Sequence, residues 1–235
     1  MSRSRPSEIL VITPLRKELD FILSEYARHG HRAHSALLGR LRTVRLPELG
    51  LTMGCGGTGK AQFALQTQHL LDTDAGWDLV ICAGAAGALA DDVRVGDIVV
   101  ATATLEHDYQ NKFNSRPAPR FEGAPAVIAD LGRVSGQQPF GVHFGTVASG
   151  DEDIVDPARR RVLRERTGAL AVAWEGAGGA RACRFSQVAF LEARGITDTA
   201  GHAAVSDFDQ NLELAMTNLA NLIRSWIRLR SSTEE

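Results

Sequence analysis

Apolar positions recur along the chain in two rhythms. Short apolar runs of strand length fall at Glu8–Ile12, Leu51–Met53, Asp78–Ala83, Val95–Val100, Gly141–Ala148, Leu170–Trp174 and Val188–Ile196, and each predicts a strand. Between them a helical period takes over. Leu15, Leu19, Ile22, Leu23 and Tyr26 form a buried stripe, with Arg16, Lys17 and Asp20 toward water, on a helix that Thr13 caps and Pro14 opens. Further helices are predicted at Lys60–Leu71, Pro125–Gly132 and Pro157–Arg166, with a short one between the last two strands. Leu212, Met216, Leu219, Leu222, Ile223 and Trp226 mark a long final helix as core or subunit packing, opened by a capping box at Ser206–Asp209. The irregular stretch Ala36–Met53 reads as a hairpin of two or three strands. The alternation predicts one α/β domain over 9–230, a mixed, mostly parallel twisted sheet flanked by helices, with polar tails at 1–8 and 231–235.

Composition narrows the partners. A chain of 235 residues with 44% hydrophobic content suits one compact domain. The net charge of −2, with acids and bases mixed along the chain, gives neither nucleic acid nor a membrane surface a face to track. Cys55, Cys82 and Cys183 are odd in number and far apart, which argues against a disulfide framework or a zinc knuckle and fits a cytoplasmic protein. No apolar run approaches membrane-spanning length and no leader pattern opens the chain. His29, His31 and His34 have no metal-ligand spacing and read as a solvated loop.

Candidate chemistry concentrates in 170–198. The runs Leu170–Trp174 and Val188–Ile196 flank a small-residue segment and end near Glu175 and Asp198, so they read as strand, short helix, parallel strand, with both acids at the edge where open α/β sheets bind ligands. Glu18 lies in the second turn of the first helix, free to face solvent or a cleft above the sheet. Gly54–Lys60 satisfies G-x-x-x-x-G-K between a strand and a helix, but Ala61 stands where a phosphate loop needs Ser or Thr for magnesium. Nucleoside triphosphate hydrolysis is therefore disfavoured. The small residues of Gly84–Leu89, Ala85 and Gly87 among them, leave backbone exposed for a small ligand or for close helix packing.

The motifs I-L-V-I-T-P-L-R-K-E-L, G-C-G-G-T-G-K, D-L-V-I-C-A-G-A-A-G-A-L with V-G-D-I-V-V, E-H-D, A-S-G-D, A-W-E-G-A and R-G-I-T-D follow one another in this order. Together they resemble the nucleoside phosphorylase superfamily over nearly the whole chain, and within it most the methylthioadenosine/S-adenosylhomocysteine nucleosidases. The resemblance implies a nucleosidase that hydrolyses the N-glycosidic bond of an adenosine-type nucleoside without cofactor or metal. It gives Glu18 the polarisation of the attacking water, Asp198 protonation of the leaving base and Arg194 a hold on the water. It gives Glu175 the ribose hydroxyls, beside Trp174 in place of a methionine. It also implies a homodimer or larger homo-oligomer, with 109–121 near the neighbouring subunit's site.

Three positions depart from the family pattern. Ala85 replaces a serine, Asp153 beside Ile154 replaces an aromatic that stacks on adenine, and Ala173 replaces an acid. Asp153 leaves a hydrogen bond to a base N–H, a different base, or stacking by Trp174 as the alternatives. Cys82 stands where the phosphorylases keep an arginine, and Pro14-Leu15-Arg16 only loosely imitates their other one, which favours water over phosphate as nucleophile. A phosphate-dependent phosphorylase and a catalytically lapsed nucleoside-binding protein are the alternatives. Lys112, Arg116 and Arg120 read as solvated charges, and His107 as a satisfied strand-end histidine.

Overall fold

The computed structural model describes residues 8–74, 76–114 and 116–232. Most of the predicted N-terminal tail and the last three residues of the C-terminal one lie outside that range. In chain order the elements are β1 (Glu8–Thr13), α1 (Arg16–Arg28), β2 (His34–Leu38), β3 (Leu41–Leu46), β4 (Leu51–Cys55), α2 (Lys60–Thr73), β5 (Trp77–Ala88) and β6 (Ile98–Glu106). There follow β7 (Arg120–Glu122), α3 (Pro125–Ser135), β8 (Val142–Ser149), α4 (Pro157–Thr167), β9 (Ala171–Ala173), α5 (Gly176–Ser186), β10 (Ala189–Asp198) and α6 (Ala204–Ser231). The fold class is the one the sequence predicts, a single-domain α/β fold with a mixed sheet. Among the described residues no helix is long and apolar enough to cross a membrane.

The strands pair in the order β10-β6-β8-β9-β5-β1-β4-β3-β2, and β5 also pairs β10. That extra ladder closes β5, β10, β6, β8 and β9 into a ring, from which β1, β4, β3 and β2 extend. The two longest ladders, β5 with β10 and β6 with β8, are parallel. Antiparallel pairs join β2 to β3, β3 to β4, β6 to β7, β6 to β10 and β5 to β9.

Alternation along the central strands makes two apolar layers. Ile9 and Val11, with Leu79 and Ile81, pack against α1 and α6 through Leu19, Ile22, Met216, Leu219 and Trp226. Leu10 and Ile12, with Val80 and Cys82, pack against α2 and α5 through Phe63, Leu70 and Ala180. The stripe predicted for α6 is thus core.

Four local expectations are corrected. The strand predicted to stop at Ala83 runs on to Ala88, because β10 pairs with it through Gly87. Helix α1 begins at Arg16, and Thr13 caps nothing; its hydroxyl donates to the Leu15 carbonyl. Ser206 makes no capping box, since α6 already starts at Ala204 and the Ser206 hydroxyl donates to the Ala203 carbonyl. Finally, β9 and β10 are not parallel neighbours: β9 pairs β8 and, antiparallel, β5, while β10 pairs β5 and β6. An eleven-residue α5 fits a crossover between neighbouring strands and one between strands that lie apart in the same sheet alike, so its length could not distinguish them.

Glycines let α5 lie close to α2. A Cβ at Gly178 would overlap the Lys60 carbonyl oxygen, a backbone atom that cannot swing away. Gly178→Ala is expected to lower unfolding free energy by about 1–3 kcal/mol in chemical denaturation despite alanine's better helix propensity; unchanged stability would show that the α2–α5 spacing is slack.

Candidate active site

The site begins where β5 changes partners along one edge. Through Cys82 that edge pairs with β1, and from Gly87 it pairs with β9, while β10 holds the opposite edge throughout. Between Cys82 and Gly87 the edge has no strand beside it, so its polar groups need side-chain partners. Helix α1 starts just past the end of β1 and supplies one. Glu18 Oε1 accepts the Ala85 N–H at 2.8 Å and Oε2 accepts the Leu15 N–H at 2.7 Å. Of the two directions open to Glu18, the structure takes the cleft, leaving the side chain 2% exposed. Burial pushes its pKa up to about 7, against the two N–H bonds and Arg194.

Arg194 meets the same edge from β10 and is fully buried. Its Nη1 donates to the Ala85 carbonyl at 3.3 Å; Nη2 reaches Cys82 Sγ at 3.3 Å and Glu175 Oε2 at 3.4 Å. Gly84 makes room: a Cβ there would lie 2.9 Å from both Arg194 Nη1 and Glu18 Oε1. Burial alone would lower the pKa of Arg194, but Cys82, Glu192 and Glu175 around it hold it above its ordinary value.

Glu175 sits between β9 and α5, where its Oε1 accepts the Gly59 N–H at 3.2 Å. Burial raises its pKa and Arg194 opposes the rise. The glycine-rich turn before α2 therefore serves the protein's own carboxylates. The Lys60 N–H goes to Asp151 at 2.8 Å, and the Lys60 ammonium pairs with Asp108 and Glu106. With that lysine neutralised, the turn is no triphosphate cradle.

Asp198 closes β10. Thr197 Oγ1 donates to its Oδ2 and the Ala200 N–H to its Oδ1, both at 2.8 Å. Burial raises its pKa against those two bonds. Ala200 has φ +50°, an uncommon conformation for alanine, and its N–H is the one Asp198 receives. Gly87 lies opposite: a Cβ would come within 2.8 Å of Asp198 Oδ1.

Glu18, Glu175, Arg194 and Asp198 line one cavity of about 420 Å³, a volume that suits a small organic ligand. Ala85, Gly87, Asp153, Ile154 and Trp174 line it too, so the nine residues assigned to the site from the sequence lie around one cavity. Asp153 is exposed and Ile154 buried; Trp174 is half-buried, its Nε1 donating to the Glu152 carbonyl at 3.2 Å. Leu15, Val155, Val205 and Phe208 add apolar wall.

Other candidates stay outside. Lys112, Arg116, Arg120 and His107 do not line the cavity. Arg120 pairs with Glu122. His107 is buried without a hydrogen bond to either ring nitrogen among the described residues, which corrects its reading as a satisfied histidine; its nearest acid, Glu152, is 3.8 Å away. Burial lowers its pKa and keeps the ring neutral. Arg16 faces solvent and pairs with Asp20.

Two contributors were missed from the sequence. Thr197 fixes Asp198, and its only signal was adjacency. Glu192 is fully buried and accepts Arg194 Nε at 2.8 Å; the signal was two charges two residues apart in the otherwise apolar F-L-E-A-R-G-I, which puts both on one face of a strand.

Known proteins are similar to this chain in sequence and in fold. A 5′-methylthioadenosine/S-adenosylhomocysteine nucleosidase of Bacillus pumilus is 32% identical over 181 residues, which are 73% of this chain and 78% of that protein. The solved structure of the Helicobacter pylori nucleosidase of the same name superposes with a TM-score of 0.83 at 25% identity, covering 94% of this chain and 98% of the other. Futalosine hydrolase of the same organism gives 0.83 at 25% identity, over 94% and 97%. Residues 8–228 match the family model described as the Phosphorylase superfamily. This chain belongs to the phosphorylase superfamily.

Proposed function

We propose that this protein is a nucleosidase, an N-glycosyl hydrolase that cleaves the base from an adenosine-type nucleoside such as methylthioadenosine or S-adenosylhomocysteine. The observation that carries the reading is the convergence of three buried carboxylates, Glu18, Glu175 and Asp198, all with raised pKa values, on one cavity. The names of the relatives in the same family support the substrate class.

In this reading the bond between the sugar's anomeric carbon and the base nitrogen breaks through an oxocarbenium-like state. Asp198, held by Thr197 and the Ala200 N–H, gives a proton to the departing purine. Its raised pKa favours the acid form. Glu175 orients the ribose hydroxyls, and the surrounding carboxylates favour positive charge on the sugar. Water adds to the anomeric carbon and passes a proton to Glu18, with Arg194 holding it. Turnover leaves Asp198 ionised and Glu18 protonated; Glu18 releases its proton to solvent and Asp198 takes one up, so that nucleoside and water balance free base and free sugar.

Charge favours water over phosphate. Among the described residues six carboxylates line the cavity, Glu18, Glu152, Asp153, Glu175, Asp198 and Asp209, against Arg194 as the one cation. That arginine is already partnered by Glu192 and Glu175. An oxyanion entering there meets repulsion from the acids, and the guanidinium that could offset it is already shared with two carboxylates. Exposed Phe113 and Tyr109 support a homodimer or larger homo-oligomer with 109–121 beside a neighbouring site, and the cysteine pattern supports a cytoplasmic location. Light scattering that gives a monomer mass would remove the oligomer from this account.

Purified protein is expected to release free base from methylthioadenosine. Asp198→Asn and Glu18→Gln are each expected to lower kcat by about 10²–10⁴-fold, read by chromatography of the base. Activity within a few-fold of the parent in both variants would refute the assigned roles. Because Glu18 is a base only when ionised and its pKa is raised to about 7, the ascending limb of kcat/KM should lie near neutrality. A flat profile from pH 5 to 8 would contradict that role.

A further inference from the structure

The geometry points to Glu192 as a positioning residue: its buried carboxylate neutralises and aims Arg194, leaving Glu175 and Glu18 free to face the substrate. Glu192 does not line the cavity, so it acts only through what it holds. Its Oε1 accepts Arg194 Nε at 2.8 Å, and its Oε2 accepts the Thr104 hydroxyl. Glu192 and Arg194 share one face of β10, and Thr104 comes from β6. All three are buried.

The charges explain why a second carboxylate is needed behind the arginine. A buried guanidinium without an anion is costly, and it would otherwise draw on the nearest acids. The groups facing Arg194 are Glu192 on its own strand, Glu175 from the end of β9, Cys82 on β5 and Glu18 on α1. Glu192 takes Nε at 2.8 Å, whereas Glu175 lies 3.4 Å from Nη2. The shorter contact therefore belongs to the acid outside the cavity, and Glu175 keeps lone pairs for a ligand. Glu192 also touches the backbone that carries Glu175. A Cβ on Gly176 would overlap the Glu192 carboxylate, so residue 176 must lack a side chain for this packing.

The consequence is measurable because Arg194 lowers the pKa of Glu18 while Glu175 raises it. Cys55 on β4 lies in the field of Glu18 as well, whereas Arg16 and Asp20 on the same helix as Glu18 pair with each other toward solvent. Removing the charge of Glu192 leaves more of the Arg194 field acting on both acids and ties Glu175 closer to the guanidinium. This inference rests on the reading of Glu18 as the base toward water.

The test is the pH profile of kcat/KM for Glu192→Gln beside the parent protein. The glutamine keeps the shape and can still accept from Arg194 Nε. The expected result is a loss of about 10- to 100-fold in kcat/KM from misplacement. The ascending limb is expected to move to lower pH by about one pH unit, the size of a charge effect relayed across a guanidinium at an effective dielectric near 20. A limb that stays in place, or unchanged kcat/KM, overturns the inference. A parent profile with no ascending limb removes the reading of Glu18, and this inference with it. Thr104→Val keeps the charge of Glu192 and removes the hydroxyl that holds it, so it serves if Glu192→Gln does not fold. It should lower kcat/KM with the limb in place, and parental kcat/KM in that variant overturns the positioning role.

Discussion

The site depends on one strand edge that is left without a neighbour. β5 is twelve residues long, longer than the strands beside it on that edge, so β1 covers its first half and β9 its last two residues. The peptide groups between them would be orphaned in a buried position, which costs enough that side chains are recruited to meet them. Glu18 takes the Ala85 N–H and Arg194 the Ala85 carbonyl. The break in the sheet thus fixes the place of the cavity and the position of two of its charged groups.

Burial of those groups sets the next condition. Arg194 has no exposure, and Glu18, Glu175 and Asp198 have little. Charge buried to this degree persists only when paired or when its pKa moves. Both responses occur here: the arginine is held charged by surrounding acids, and the pKa values of Glu18, Glu175 and Asp198 are raised. A raised carboxyl is what proton transfer near neutrality requires. Stability and chemistry therefore draw on the same desolvation, and the glycines at 84, 87 and 176 supply the space that lets it happen.

Much of this was legible in the sequence, for identifiable reasons. Apolar period placed nearly every element, and ordered motifs led to the nine residues that share the cavity. What the sequence could not give was which strands pair. An acid at the end of β9 and another at the end of β10 suggested a shared parallel edge, yet the strands lie apart and their acids meet across β5. Pairing is a long-range property, and period-2 alternation carries no partner label. Glu192 was invisible for a related reason: a charge inside an apolar strand has meaning only once Thr104 and Arg194 are seen around it. The glycine-rich turn shows the opposite error avoided, since Ala61 alone had already argued against a phosphate loop.

The central claim is that this cavity breaks a glycosidic bond with water. The most direct measurement is a time course of methylthioadenosine in phosphate-free buffer and again with added phosphate, following both base and sugar products. The account predicts equal release of base in the two buffers, with free sugar as the co-product. A sugar phosphate formed only when phosphate is present would contradict it.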